Sequence, residues 1–235
     1  MNEQAFVITE ENGILILTMQ AEGNNLMTAS FFEGYESAMA EIEKRAAENS
    51  YRGMIICGGG RHFSVGADVE SLSERSAREL PELRETGRIP DGHFRQKHFF
   101  TFLNGLPFPV VSVVTGFCIG SGSEIAANSH FRIVEKNARI GQPESTFGIL
   151  PALGGIARSI VHTGMQNAFE IVVSGELFTA DKAAEILWAN ELVGKKAGMA
   201  RAKQLIDFIS GSGEKFSADK AADFYRRFLE LEAAE

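Results

Sequence analysis

Residues 109–126 read PVVSVVTGFCIGSGSEIA. Val110 to Val114 are apolar apart from Ser112 and follow two prolines, Pro107 and Pro109. Such a short apolar run bounded by breakers predicts a strand buried on both faces. Glycine then turns the chain twice, at Gly116 and Gly120, and a helix opens near Ser121 to Glu124. Strand, glycine turn, helix is the grammar of an α/β protein. Glu124 falls in the first turn of that helix, where the helix dipole favours an acid. A second carboxylate, Glu144, lies twenty positions on and follows Gln142-Pro143, a common capping arrangement. Either each is a helix-start glutamate, or the fold brings the two together to move protons. Spacing alone leaves both readings open.

The same grammar appears upstream. Gly53 to Cys57 predicts a buried strand that runs through Gly58-Gly59-Gly60 into the loop RHFSVGADVESL, Arg61 to Leu72. Main-chain amides turned outward at a glycine loop make a place for negative charge. Glycine loops between strand and helix are also common connectors. Phe6-Val7-Ile8 and Ile14 to Leu17 flank a tight turn and predict a hairpin. Phe31, Phe32, Tyr35, Met39 and Ile42 recur at helical spacing, predicting an amphipathic helix from Ala29 to Glu48. Ser71 to Arg95 is charged, weakly periodic and broken by Pro81 and Pro90, and reads as a surface helix-loop and candidate lid. From Gly155 onward the pattern is almost entirely helical, with segments at Ala180–Trp188, Ala197–Ile209 and Ala218–Leu231.

The chain has 235 residues, 44% hydrophobic and 23% charged, as expected of one large globular domain with an appendage. Its net charge of -8 argues against nucleic acid or an anionic membrane as partner. Without a basic-then-apolar leader or a membrane-length apolar run, the expected setting is cytoplasmic. Cys57 and Cys118 sit in apolar runs and read as buried free thiols. His93 and His98 are five apart, a spacing that does not put two ligands on one helix face, and no metal set is expected.

Four segments together resemble the crotonase (enoyl-CoA hydratase/isomerase) superfamily. They are FSVGADV (63–69), PVVSVVTGFCIGSGSEIA (109–126), ARIGQPESTFGILPALGGIAR (138–158) and SGELFTADKAAEILWANELV (174–193). The resemblance covers roughly residues 5 to 195 and implies a spiral of ββα units with a helical C-terminal region. On that pattern residues 1–193 form the core with the active site, and 194–235 a shortened region for oligomerisation or a lid.

Residue by residue, the resemblance assigns the backbone N–H of Ala67 and Ser121 to an oxyanion hole. Ser121 stands where the family usually has glycine, but the donor is a main-chain amide. It makes Glu124 and Glu144 the catalytic pair, Glu124 mainly orienting and deprotonating water and Glu144 mainly protonating C2. Ala67, Asp68, Val69 and Ser121 fall in the substrate-binding segments; Asp68 taken alone reads as an N-cap. His130 stands where the family commonly has aspartate and reads as a structural histidine at a strand start. Met27 and HFFTFL (98–103) read as core or as the wall of an acyl pocket.

The implied reaction is syn addition of water to a 2-enoyl-CoA, with coenzyme A as part of the substrate and no separate cofactor. Two alternatives keep the fold: Δ3-Δ2 enoyl isomerisation, or a non-catalytic acyl-thioester-binding scaffold. An acyl-carrier-protein thioester is an alternative substrate, and a homotrimer or dimer of trimers is implied.

Overall fold

In the computed structural model the described residues are 5–70, 74, 77, 81, 84–88, 98 and 100–232. Most of the candidate lid, Ser71 to Arg95, and His93 lie outside them. The hairpin is β1 (Phe6–Glu11) and β2 (Ile14–Met19), antiparallel and joined through Asn12 and Gly13, both with positive φ. After a turn at residues 22–25 come the short β3 (Leu26–Met27) and α1 (Ala29–Glu48), capped by Thr28 Oγ1, which accepts from Phe31 N–H. Next are β4 (Gly53–Gly58), β5 (Gly66–Ala67), β6 (Val110–Val114) and β7 (Phe117–Ile119). Then follow α2 (Ser121–Ala127), β8 (Phe131–Glu135), β9 (Arg139–Gly141) and a 3-10 turn, Pro143–Phe147. The chain continues with α3 (Gly155–Ser174), β10 (Phe178–Thr179), α4 (Ala180–Glu185), β11 (Glu191–Val193), α5 (Gly198–Gly211) and α6 (Ala221–Glu232).

Among the described residues the main sheet runs β1-β2-β4-β6-β8-β11, parallel from β2 onward. Each main strand from β4 to β8 is followed by a short one, β5, β7 or β9, in a second layer; β7 pairs in parallel with β9. This is the ββα spiral expected from the resemblance. The central strands are buried on both faces because each face has its own cover. Met54, Ile56, Val110 and Val114 join the core under α1, with Phe31, Tyr35 and Ile42. Their alternates, Ile55, Val111, Val113 and Ile133, pack under α5 and α6 with Leu205, Ile206, Ile209 and Phe224. Arg201 ties α5 to β11 and α6 through Glu191, at 2.6 Å, and Glu232.

The helix from Ala29 to Glu48 and the strand from Val110 to Val114 have the predicted bounds. The last third is less helical than its pattern. β10 and β11 are two and three residues long, too short to show a period of two, and β11 gains its stability by adding to β8. The helix predicted to Trp188 stops at Glu185, because Leu187 turns to a φ of 63°. Both cysteines are free, and Cys118 is buried.

Candidate active site

Three short segments lie side by side. Residues 63–67 follow β7: Phe63 N–H donates to Thr115 O at 2.8 Å, Ser64 N–H to Phe117 O at 3.0 Å, and Ile119 N–H to Ser64 O at 3.1 Å. On the other side of β7, Ile119 is in register with Gly141, and Gly120 N–H donates to Gly141 O at 2.9 Å. Chain ends at Ala67, Ser121 and Gln142 therefore emerge together, at the carboxyl ends of parallel strands, where α/β sheets place their sites.

Ala67 sits on β5. Asp68 N–H pairs with Met27 O at 3.3 Å across to β3. Successive amides of an extended strand point to opposite edges, so the Ala67 N–H faces away from β3. Gly66 keeps this strand close to β7: its φ is 88°, and a methyl there would lie 2.7 Å from Ile119 O. Ser121 is the first residue of α2 and buried; amides in a helix's first turn have no partner within the helix. Asp68 Oδ1 accepts from Glu70 N–H at 3.3 Å, the local turn that capping predicts.

Glu124 is 1% exposed. Its Oε1 accepts from Leu153 N–H and Gly155 N–H, each at 2.8 Å, so it caps the start of α3 from a different helix. Burial pushes its pKa up to about 8. The Gly155 N–H pulls it back, the charge of Glu144 raises it further, and the Leu153 N–H again pulls it back. That influence places the two carboxyls within electrostatic reach of each other.

Glu144 starts the 3-10 turn after β9. Its Oε1 lies beside Gly120, 3.2 Å from where a methyl on that glycine would stand. Its Oε2 is buried without a partner, and burial raises its pKa above the ordinary carboxyl value. The fold thus brings Glu124, Glu144, Ser121 and Ala67 to one end of three neighbouring segments. What the arrangement offers is two carboxyls biased to hold a proton, next to main-chain donors.

The chain belongs to the enoyl-CoA hydratase/isomerase family. The model of that family matches residues 9–209. Among curated relatives, the short-chain-enoyl-CoA hydratase of Clostridium acetobutylicum is 29% identical over 86% of this chain and 74% of its own length. The 2,3-dehydroadipyl-CoA hydratase of Escherichia coli is 29% identical over 76% of this chain and 65% of its own. The fatty acid oxidation complex subunit alpha of Shewanella halifaxensis is 27% identical over 97% of this chain, which spans only 31% of that longer protein. In fold, an enoyl-CoA hydratase from Bacillus anthracis superposes with a TM-score of 0.76, covering 97% of this chain and 90% of that one at 18% identity.

Within this family member His130 holds structure together. Its Nδ1 accepts from Val110 N–H at 3.0 Å and its Nε2 donates to Asn104 O at 3.1 Å. Burial lowers its pKa to about 4, so it is neutral. Among the described residues no group of three His, Cys, Asp or Glu side chains is placed to hold a metal. No described helix is long and apolar enough to cross a membrane.

The sequence reading does not reach Leu153, Gly155, Gln142 or Asn128. Asn128 Nδ2 donates to Glu124 O at 2.9 Å and fixes the backbone behind the carboxyl. Gln142 is fully buried, against Gly155 and Glu124. The available signal was the run PALGG, whose paired glycines before a helical pattern mark a helix start with free amides.

Proposed function

We propose that this chain is an enoyl-CoA hydratase, adding water reversibly and syn across a 2-enoyl-CoA thioester. The observation that carries the reading is the carboxyl pair: Glu124 is buried, Glu144 lies close enough to raise its pKa, and one Glu144 oxygen is buried with no partner.

Attack of water at C3 pushes charge through C2 onto the thioester oxygen. The N–H groups of Ala67 and Ser121 receive that charge, and Asp68 and Val69 line the same segment. Losing one such donor raises a barrier by about 3–4 kcal/mol. The O–C3 bond and the H–C2 bond form on one face as a water O–H breaks. The pair takes one proton and gives one, so its count is the same before and after.

Two nearby carboxyls, one buried and one half-buried, hold one proton between them at neutral pH in this reading. In the free protein burial puts that proton on Glu124. In this reading one water between the two carboxyls relays it. Glu124 orients and deprotonates the attacking water, and Glu144 delivers to C2.

The test sets hydration against isomerisation. With matched acyl chains, 2-enoyl-CoA hydrates faster than 3-enoyl-CoA converts to its conjugated isomer. The reverse order assigns the pair to isomerisation instead. Running the same acyl groups on a carrier protein separates the two thioester carriers.

A further inference from the structure

Gln142 is 0% exposed, and neither its Oε1 nor its Nε2 makes a hydrogen bond within the protein. A buried amide without partners destabilises the fold, so its presence next to a reactive group needs a reason. Its neighbour supplies one. A methyl on Gly155 would stand 2.5 Å from Gln142 Nε2, 2.9 Å from Gln142 Oε1 and 2.8 Å from Glu124 Oε1. Amide and carboxyl thus crowd a single point above Gly155, within a side-chain rotation of each other.

We infer that the Gln142 side-chain amide positions the Glu124 carboxyl in both of its protonation states. Its Nε2–H donates to the carboxylate, and its Oε1 accepts from the carboxylic acid. This rests on the hydratase reading, in which the Glu124 proton must leave and return each turnover. A lysine at 142 would hold the carboxyl ionised and an aspartate would hold it protonated; an amide does neither. The two main-chain donors keep Oε1 in place meanwhile. Charged and titratable groups on the elements packed around Glu124 are Glu144 on the 3-10 turn, Arg158 and the neutral His162 on α3, Asp68 beyond β5 and the neutral His130 before β8. Of these only Glu144 acts on its titration.

The test has two arms. In 15N-labelled wild-type protein without substrate, the Gln142 side-chain amide resonances should move with a midpoint near the Glu124 value of about 8. In Glu124→Gln they should stay flat. Amide resonances indifferent to pH in the wild type overturn the inference, whatever the enzyme turns over.

In the second arm Gln142→Met keeps the volume and removes both polar atoms. A donor to an ionised acceptor is worth roughly twice a neutral one, so its loss disfavours the carboxylate. The alkaline limb of kcat/KM should move up by about half a pH unit or more, with kcat down about tenfold and KM within about threefold. A folded Gln142→Met with a superimposable pH profile contradicts the inference. If wild type itself hydrates no enoyl thioester, the hydratase reading has failed instead, and the resonance arm still decides Gln142.

Discussion

Gly155 N–H donates to Glu124 Oε1 at 2.8 Å, so the side chain of one helix caps the start of another. The bond anchors one carboxyl oxygen and leaves the other to the site. It also puts the carboxyl at the positive end of α3, which favours the ionised form against burial, which disfavours it. Glu124 is therefore held between two protonation states, and several measurable consequences follow from that.

Activity should fall as pH rises through about 8. The proposed chemistry needs one proton on the Glu124/Glu144 pair, and the group that holds it longest titrates near that value. A bell-shaped kcat/KM profile with its alkaline limb near 8 is expected. A profile flat from pH 6 to about 10 would remove the carboxyl pair from the mechanism.

Glu124 should also cost the fold stability. Its folded pKa of about 8 lies above the ordinary carboxyl value, so the folded state holds a proton that the unfolded chain has released. Between roughly pH 4.3 and 8 the folded state binds more protons, and stability falls as pH rises. Glu124→Gln removes this slope. Its unfolding free energy should exceed that of wild type by a margin that grows from about pH 5 to about pH 8, reaching on the order of 1–3 kcal/mol. An equal or shrinking margin over that range would contradict the burial argument. The same variant should be inactive, a trade of stability for function.

Much of the fold was legible because burial imposes a period. The run from Val110 to Val114 and the helical spacing from Phe31 to Ile42 each reflect a face that must be covered. β10 and β11 were not legible, since two or three residues carry no period and form only against β9 and β8. The approach of Glu124 to Glu144 was beyond spacing arguments too. It is a property of β7 pairing with β9, which starts both carboxyl-bearing turns at one level. Leu153 and Gly155 act through main-chain N–H, which leaves no side-chain signature, and Gln142 reads in sequence as an ordinary residue before a proline.

Gly66→Ala tests the oxyanion strand without touching a carboxyl. With φ at 88° and Ile119 O at 2.7 Å from the new methyl, β5 must shift and take the Ala67 N–H with it. Loss of one donor predicts a fall in kcat of about 10²–10³ with a folded protein. Melting will confirm folding, and unchanged kcat in a folded variant would take Ala67 out of the oxyanion hole.

The most direct test follows the conjugated absorbance of crotonyl-CoA and longer 2-enoyl-CoAs in D2O, with wild type beside Glu144→Gln. The account predicts that wild type bleaches the absorbance and leaves one deuterium at C2. Glu144→Gln should bind the thioester but lose about 10²-fold or more in turnover. No bleaching by wild type across the panel, or equal rates and labelling from the two proteins, would contradict it.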